Sequence, residues 1–304
     1  MIDIQVLQDA SEIIHYDFPE IPCAIQKRLL SQYTDMRALC HWHEDIECIY
    51  IFSGKMNYDI NGKQVVLREG DSIIINSHQL HFGFDHKKEE CAFAVLLFPP
   101  KLLNSSIHAY QKMVFPIIQS SAEPYWHFDK NHPGRDQIAG LLQQIYALHQ
   151  KKQQDYLLLG LLHCLWQAIY HYSDHSLYSR TMAEEPDIHL QKQMVSYVYQ
   201  HYSEDITLED IAASGNISRS KCCKLFQKYL QQSPIAFLNA YRMEISCNLL
   251  RDTAYSITQI ASSVGYNHLS YFSKMFMKKY GYTPIQYRKN QNTPAVEEGS
   301  GTQP

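Results

Sequence analysis

The feature that most constrains the fold of this chain is an internal near-repeat in its C-terminal third, with two copies about fifty residues apart. The first copy begins ITLEDIA at residues 206–212, and the second begins YSITQIA at residues 255–261. In each, a Thr or Ser is followed three residues later by an Asp or Gln, whose side chain can bond back to the amide of the first residue, as in a capping box. The apolar residue just before the cap can also pack on the apolar residue four positions after it. Both copies therefore predict the sharply defined start of a short helix, at Thr207 and at Ser256.

Each short helix is followed by a break and a longer helix. Gly215 and Gly265 permit a tight turn, and the longer helices are expected to bury one stripe each: Cys222, Leu225, Phe226 and Tyr229 in the first copy, Phe272, Met275 and Phe276 in the second. Both copies close alike, because a Phe of each stripe stands eight residues before a Pro. This order is that of a helix-turn-helix unit. A helical bundle that uses the same caps for stability alone is the alternative, and two matched copies disfavour it.

Residues 188–289 as a whole resemble the AraC-type DNA-binding domain. The segments that carry the resemblance are TLEDIAA, ISRS, LFQK, YR, ITQIA, VGY, YFSKMF and GYTPIQYR, in chain order. The resemblance implies a transcription regulator that binds double-stranded DNA as a homodimer and contacts RNA polymerase. One departure is Lys274, which stands where most members have Arg, and a lysine fits the two acceptors of guanine less well than a forked guanidinium.

The stretch 235–250 between the two units can form one helix of about 24 Å, at 1.5 Å per residue. Such a spacer can set two recognition helices about one DNA turn (~34 Å) apart, in successive major grooves. The faces opposite the buried stripes give the predicted DNA-binding residues: Arg219, Ser220, Cys223, Lys224, His268, Leu269, Ser270 and Lys274. Each of them could instead be a solvated surface residue or contact a phosphate. Phosphate contact is the favoured interpretation for Lys228, Lys278 and Lys279.

The charge distribution agrees with a polyanionic partner. Residues 187–290 carry 12 Lys and Arg against 7 Asp and Glu, whereas residues 1–186 carry 15 against 22. Only the C-terminal part is therefore positive, although the excess is modest.

The N-terminal third has the pattern of short β-strands. Residues 48–52 and 91–98 are apolar runs, Asn61-Gly62 is a two-residue hairpin signal, and residues 72–75 are mostly β-branched. Short strands at this spacing predict a barrel or a sandwich.

The same region resembles the cupin family. His41, His43 and Glu47, followed by Gly54, match the first cupin motif in spacing, and Gly70 with His81 partly matches the second. Asn76, His78 and Asp85 replace the usual Pro, Gly and Asn of the second motif. The resemblance implies a small cupin-like β-barrel over residues 1–100, which would act as a sensor.

Residues 41, 43 and 47 lie two and four positions apart and would face the same side of an extended strand, which in a barrel is the lumen. With His81 they would supply three imidazoles and one carboxylate, a set suited to a divalent transition metal. Two interpretations stay open: the tetrad His41, His43, Glu47 and His81 binds zinc, manganese, iron or nickel, or it hydrogen-bonds a small polar effector such as a sugar. Nearby aromatic residues could stack on such a ligand or belong to the core: Trp42, Tyr50, Tyr58, Phe82 and Phe84.

Residues 101–175 are predicted to form a helical connector. Leu141, Leu142, Ile145 and Leu148 form an apolar stripe there, which fits packing on the barrel and dimerisation equally well, and the family resemblance favours a dimer. Residues 173–187 have the composition of a linker, and residues 290–304 are expected to be a disordered tail.

The sequence thus predicts an α+β two-domain protein with a β-barrel sensor and a double helix-turn-helix reader. It contains neither a signal-peptide pattern nor an apolar run long enough to span a membrane, and its eight cysteines have no paired spacing, so we expect a cytoplasmic protein with free thiols. A non-enzymatic, ligand-responsive regulator is the leading hypothesis. The alternatives are a metallocupin enzyme or metal sensor with an attached DNA-binding domain, and a structural DNA-binding protein without an effector.

Overall fold

The computed structural model describes residues 5–7, 11–17, 21–120, 122–149, 155–179 and 186–291. Strands dominate the chain up to residue 128, and the described part from residue 186 onward is helical. The predicted two-domain α+β layout is therefore confirmed. The expected linker lies partly outside the described residues. Of the expected tail, residues 290 and 291 belong to the last helix, and the rest lies outside the described residues.

Among the residues that the structure describes, the N-terminal β domain has seven strands: β1 Ala24–Leu29, β2 Ile46–Ile60, β3 Lys63–Arg68, β4 Ser72–Ile75, β5 His81–Asp85, β6 Cys91–Phe98 and β7 Tyr125–Phe128. The strands β1-β6-β2-β4-β7 are hydrogen-bonded in that order, and the second half of β2 pairs instead with β3 and β5. The register shifts near Ser53, and Gly54 follows with a φ of +80° at a point where a side chain would strike the carbonyl of Glu90. The two halves of one long strand therefore belong to two sheets that enclose an interior. The predicted hairpin between β2 and β3 is confirmed, with positive φ angles at Asn61 and Gly62.

Strand β7 lies in the segment 101–175 that the sequence pattern assigns to a helical connector. It pairs with β4, with Phe128 opposite Ser72, and buries Trp126 and Phe128. Four residues are too few for a period of two to be told from a period of 3.6. The β domain consequently extends past residue 100.

In the described part of this region, helices α1 Ile107–Met113 and α2 Phe115–Ile118 precede β7, and helices α3 Arg135–His149 and α4 Asp155–Tyr172 follow it. Leu142 and Ile145 of the predicted apolar stripe are buried in a cluster with Ile74 and Phe98 of the sheet. The stripe thus packs on the β domain within one chain. Among the described residues, no helix is long and apolar enough to cross a membrane.

The C-terminal helices are α5 Pro186–His201, α6 Leu208–Ser214, α7 Arg219–Leu230, α8 Pro234–Asp252, α9 Ile257–Ser263, α10 Leu269–Tyr280 and α11 Pro284–Gln291. Both predicted capping boxes are confirmed. Thr207 Oγ1 accepts from the amide of Asp210, whose carboxylate accepts from the amide of Thr207, and Ser256 and Gln259 repeat the exchange. The predicted packing of the residue before the cap differs between the copies, since Ile206 is buried and Tyr255 is 51% exposed.

The turns of the two units differ from the expectation in one respect. Gly265 adopts a φ of +80° as predicted, but Gly215 has a φ of −93°, and the neighbouring Asn216 takes the positive φ of 50° instead. Asn tolerates this left-handed region better than most residues. A Cβ at Gly215 would lie 3.3 Å from the side chain of Met194, which would have to shift slightly.

An arginine from a following helix holds the segment just before each unit. Arg242 in α8 donates to the carbonyl oxygens of Tyr202 and Glu204, just before the first unit. Arg288 in α11 donates to those of Leu250 and Tyr255, just before the second. The repeat therefore includes the segment that holds the start of each unit.

The two domains share a hydrophobic cluster that runs from the inner face of the β domain into α5, α7 and α8. At its centre the hydroxyl of Tyr199 in α5 donates to the carbonyl oxygen of Cys40, at 2.8 Å and out of contact with water. Six of the eight cysteines are buried, and all eight are free thiols as predicted.

Candidate effector site and DNA-binding surface

The structure brings the four residues of the predicted tetrad together. His81 starts β5, Glu47 lies near the start of β2, and His41 and His43 precede β2 rather than lying in one strand with Glu47. A pair of backbone hydrogen bonds joins His41 to His81. One nitrogen of each histidine and one oxygen of Glu47 lie within 4.8 Å of one another, and every member is at most 5% exposed. The fold thus brings the closely spaced residues 41–47 next to His81, which lies 34 positions after Glu47 in the chain.

The three imidazoles are oriented in the same way. Each Nδ1 lies 2.8–2.9 Å from a backbone carbonyl oxygen, of Leu39, Asp45 or Gln79. Because a carbonyl oxygen only accepts, each Nδ1 carries the proton and donates it, which turns each Nε2 toward the centre of the tetrad.

Hydrogen-bond acceptors face one another at the centre of the tetrad. The Nε2 atoms of His43 and His81 lie 3.1 and 2.9 Å from Glu47 Oε2, and Tyr58 donates its hydroxyl to Glu47 Oε1 at 3.0 Å. Neutral imidazoles would turn lone pairs toward the carboxylate, so the arrangement requires a proton or another cation between them.

Burial and the neighbouring charges act in opposite directions on these groups. Burial alone would raise the pKa of the Glu47 carboxyl, but His81 and His43 hold it well below its usual range. Burial alone would lower the pKa of His43, yet its hydrogen bond to Glu47 raises it. His41, buried beside His81 and His43, has a pKa well below its usual range. These directions favour an ionised Glu47 carboxyl and a proton on His43 rather than on His41.

A cavity adjoins the tetrad between the two sheets. The empty space there, counted together with the solvent at its mouth, is about 410 Å³, and His41 and Glu47 form part of its wall. Its other polar side chains were not predicted: Glu12, Arg28 and Tyr33, together with Tyr58, which the sequence marked only as an aromatic residue. We call this space the inner cavity.

The signal that could have found Arg28 is the alternation along β1. Gln26 and Arg28 turn to one side of the strand, whereas Lys27 turns to the other and lies over the ring of Phe52. Glu12 reaches the inner cavity because its amide donates to the carbonyl oxygen of Trp42, which sets its carboxylate 3.5 Å from His41 Nε2. No local pattern predicts that contact.

The predicted DNA-binding residues lie on two exposed helix faces. Arg219, Ser220 and Lys224 are exposed on α7, where Cys223 is half-buried, and Leu269, Ser270 and Lys274 are exposed on α10, with His268 at its N-cap. Ser218 caps α7 by accepting from the amide of Lys221. The opposite faces are buried in the cores of the two units, as the stripes predicted. Tyr271, 52% exposed on the same side of α10, was not among the predicted residues.

Comparison with known proteins identifies both halves of the chain. Residues 31–165 match the AraC-like ligand binding domain, and residues 211–290 match a helix-turn-helix domain. The HTH-type transcriptional regulator YdeC of Bacillus subtilis is 30% identical over 93% of this chain and 97% of its own length. The chain belongs to the AraC family of transcription regulators.

Weaker similarities also cover most of the chain. The melibiose operon regulatory protein of Escherichia coli is 25% identical over 82% of this AraC-family chain and 83% of its own length. The solved structure of ToxT from Vibrio cholerae is 15% identical, with a TM-score of 0.44, over 90% of this chain and 98% of that one.

Some of the basic residues in the helix-turn-helix region of this AraC-family chain form ion pairs with other residues of the chain. Arg219 pairs with Glu209 on the surface. Lys279, one of the three lysines predicted to contact phosphates, lies 2.8 Å from Asp35 of the β domain, and both side chains are about one-third exposed. The β domain therefore holds a residue that the DNA-binding surface is predicted to use.

Proposed function

We propose that this AraC-family protein is a ligand-responsive regulator that reads DNA sequence with α7 and α10. The observation that carries the proposal is the pair of exposed, basic helix faces on two repeated units. Lys224 and Lys274 occupy equivalent central positions on these faces, where a lysine in the major groove can donate to guanine. Lys228, Lys278 and Lys279 lie toward the helix ends and would contact phosphates.

The test is binding of the purified full-length chain to duplexes selected from a random pool. Lys224→Ala and Lys274→Ala should each weaken binding to the selected duplex by about 1–3 kcal/mol and relax its sequence preference. Lys278→Ala is the matched control, because loss of a phosphate contact weakens binding to all sequences alike. Full sequence preference in both of the first two variants would remove α7 and α10 as the reading helices.

The tetrad and the inner cavity form the proposed effector site. A cavity with a largely apolar wall and a few convergent polar groups is typical of a site for a small molecule. A sugar or other small polar compound is the proposed effector, and the melibiose operon regulatory protein, whose name contains a sugar, supports that choice. The protein would act without catalysis, as a homodimer that contacts RNA polymerase. Light scattering of the full-length chain tests the dimer.

A metal-dependent form of this sensor is a second candidate, because the three histidines already have the outer hydrogen bonds that metal-bound imidazoles usually have. His41, His43, Glu47 and His81 would hold the ion through three Nε2 atoms and a carboxylate oxygen, and a divalent ion would supply the cation that their facing acceptors require. When bound, such an ion would offer a Lewis-acidic site to an effector oxygen.

Elemental analysis of purified wild-type protein and of His43→Ala distinguishes the two candidates. His86→Ala, a histidine of the same domain outside the tetrad, is the control. Stoichiometric metal that is lost only in His43→Ala supports the metal form. Absence of metal, with loss of the effector response in His43→Ala, supports direct binding of an organic ligand. If metal content and response are both unchanged, the tetrad is not the effector site.

A further inference from the structure

The wall of the inner cavity includes a half-buried cation, Arg28, that is in no ion pair within the part of the chain that the structure describes. Arg28 Nε and Nη2 donate to Gln26 Oε1 at 3.1 and 2.8 Å, and Nη1 donates to the hydroxyl of Tyr33 at 2.6 Å. Both acceptors are neutral. Within the described part of the chain, no carboxylate forms an ion pair with this guanidinium.

The two carboxylates of the cavity are engaged elsewhere. Glu47 is held by His43, His81 and Tyr58. Glu12 is directed toward His41, with its Oε2 3.5 Å from His41 Nε2. A cation that has lost part of its hydration is stabilised by a negatively charged partner. A ligand that brings a negative charge would be such a partner.

Arg28 lies where a ligand entering the inner cavity would contact it. An outer vestibule lined by Gln5, Ile14 and Gln26 shares Glu12, Arg28 and Leu97 with the inner cavity, so the guanidinium stands where the two spaces meet. Of the five N–H groups of an arginine, three are used here, which leaves two for a ligand. The hydroxyl of Tyr33 accepts from Arg28 and can still donate its own proton to the same ligand.

We propose that the effector of this protein carries a carboxylate that binds Arg28 and Tyr33, with its body directed into the inner cavity toward His41 and Glu47. The proposal rests on the proposed function, since it names the chemical class of the effector. A single cation with two spare N–H groups matches the charge and the two oxygens of one carboxylate. A phosphate would bring more negative charge than one arginine compensates.

Two matched pairs of probes isolate the carboxylate. Galacturonate and galactose share a sugar ring, whereas benzoate and benzamide share an apolar ring, so the two pairs also distinguish a hydroxylated effector from an apolar one. Calorimetric titration of the full-length chain should show that one acid binds at least about 30-fold more tightly than its neutral partner, which corresponds to about 2 kcal/mol at 1.4 kcal/mol per tenfold.

Arg28→Met should abolish that preference, and Arg28→Lys should retain part of it. Lys27→Met, which removes a positive charge from the opposite side of the same strand, is the control and should leave the preference intact. The comparison of acid with neutral partner in the wild type needs no variant, so it stands even if Arg28→Met folds poorly.

Three results would overturn the proposal: a neutral probe that binds as tightly as its acid, an acid preference that survives in folded Arg28→Met, or failure of both acids to bind. Binding of the selected duplex is measured on the same samples. If the duplex binds and any of the three results is found, the carboxylate proposal fails and the proposed function stands. If the protein shows no sequence-specific DNA binding, the proposed function itself fails.

Discussion

Neutralising Asp35 is expected to tighten DNA binding, because it releases Lys279 from the β domain. Lys279 Nζ lies 2.8 Å from Asp35 Oδ2, and the two side chains are 33% and 30% exposed, so the pair is neither buried nor fully solvated. Exposed pairs contribute up to about 1 kcal/mol, and lower solvation strengthens the attraction, so we assign this one about 1–2 kcal/mol. If Lys279 must leave Asp35 to reach a phosphate, Asp35→Asn should lower the Kd by about 5- to 30-fold.

Asn is well suited to this test. Asp35 has a φ of 59°, and Asn tolerates that left-handed conformation as Asp does, so the substitution removes the charge without straining the turn. Fluorescence anisotropy at one fixed salt concentration, with a selected and an unrelated duplex, gives the two Kd values, and both should fall alike because phosphates carry no sequence.

The double variant decides whether the effect passes through Lys279. In a Lys279→Met background, Asp35→Asn should have no further effect on the Kd. An unchanged Kd in Asp35→Asn alone, or the same gain in the Lys279→Met background, would refute the idea that the β domain withholds this lysine.

Three further expectations concern stability. Thr207→Ala should lower the free energy of unfolding by about 1 kcal/mol in urea titrations, whereas Thr207→Ser, which keeps the capping hydroxyl, should lower it far less. Gly265→Ala should cost at least about 2 kcal/mol in the same assay, because it combines a φ of +80° with a Cβ placed 2.7 Å from a carbonyl oxygen, whereas Gly215→Ala, at a φ of −93°, should cost less than half as much. Burial raises the pKa of Asp59 from 3.8 to about 6. The free energy of unfolding should therefore be highest below pH 4 and fall as the pH rises through 6, by about 1–2 kcal/mol allowing for partial solvation. Asp59→Asn should remove this step from thermal melts between pH 4 and 7.

The parts of the fold that could be predicted are those encoded by short spacings. The capping boxes at Thr207 and Ser256 need only residues three apart, and the apolar stripes of α7 and α10 need only one or two turns of helix. Such signals are local, so they survive without knowledge of the tertiary structure. The sequence did not predict that Asn216 rather than Gly215 would take the positive φ, because both residue types tolerate that conformation.

The residues of the candidate site were likewise predictable where a local motif contains them and unpredictable where long-range pairing places them. His41, His43 and Glu47 could be read from one short motif, and His81 from its partner motif. Arg28, Glu12 and Tyr33 come to the cavity from β1, from the segment 11–17 and from the turn after β1, and only the pairing of β1 with β6 and the crossing at Trp42 bring them together. Long-range pairing of this kind is invisible to periodicity.

The segment 33–43 is where the two proposed sites meet. Near the start of this segment, Asp35 contacts Lys279. Toward its end, the carbonyl oxygen of Cys40 accepts a hydrogen bond from Tyr199, and His41 and His43 of the tetrad come directly after Cys40. A ligand bound at the tetrad and DNA bound at α10, as proposed, would both act on this short stretch of backbone. A ligand alters DNA affinity through this stretch only to the extent that it binds one arrangement of it more tightly than another. For the coupling to reach tenfold, that difference must be about 1.4 kcal/mol, which lies within the range assigned to the Asp35–Lys279 pair. One ion pair is therefore sufficient in magnitude to couple the two sites, and Asp35→Asn should reduce the effector-induced change in Kd along with the Kd itself.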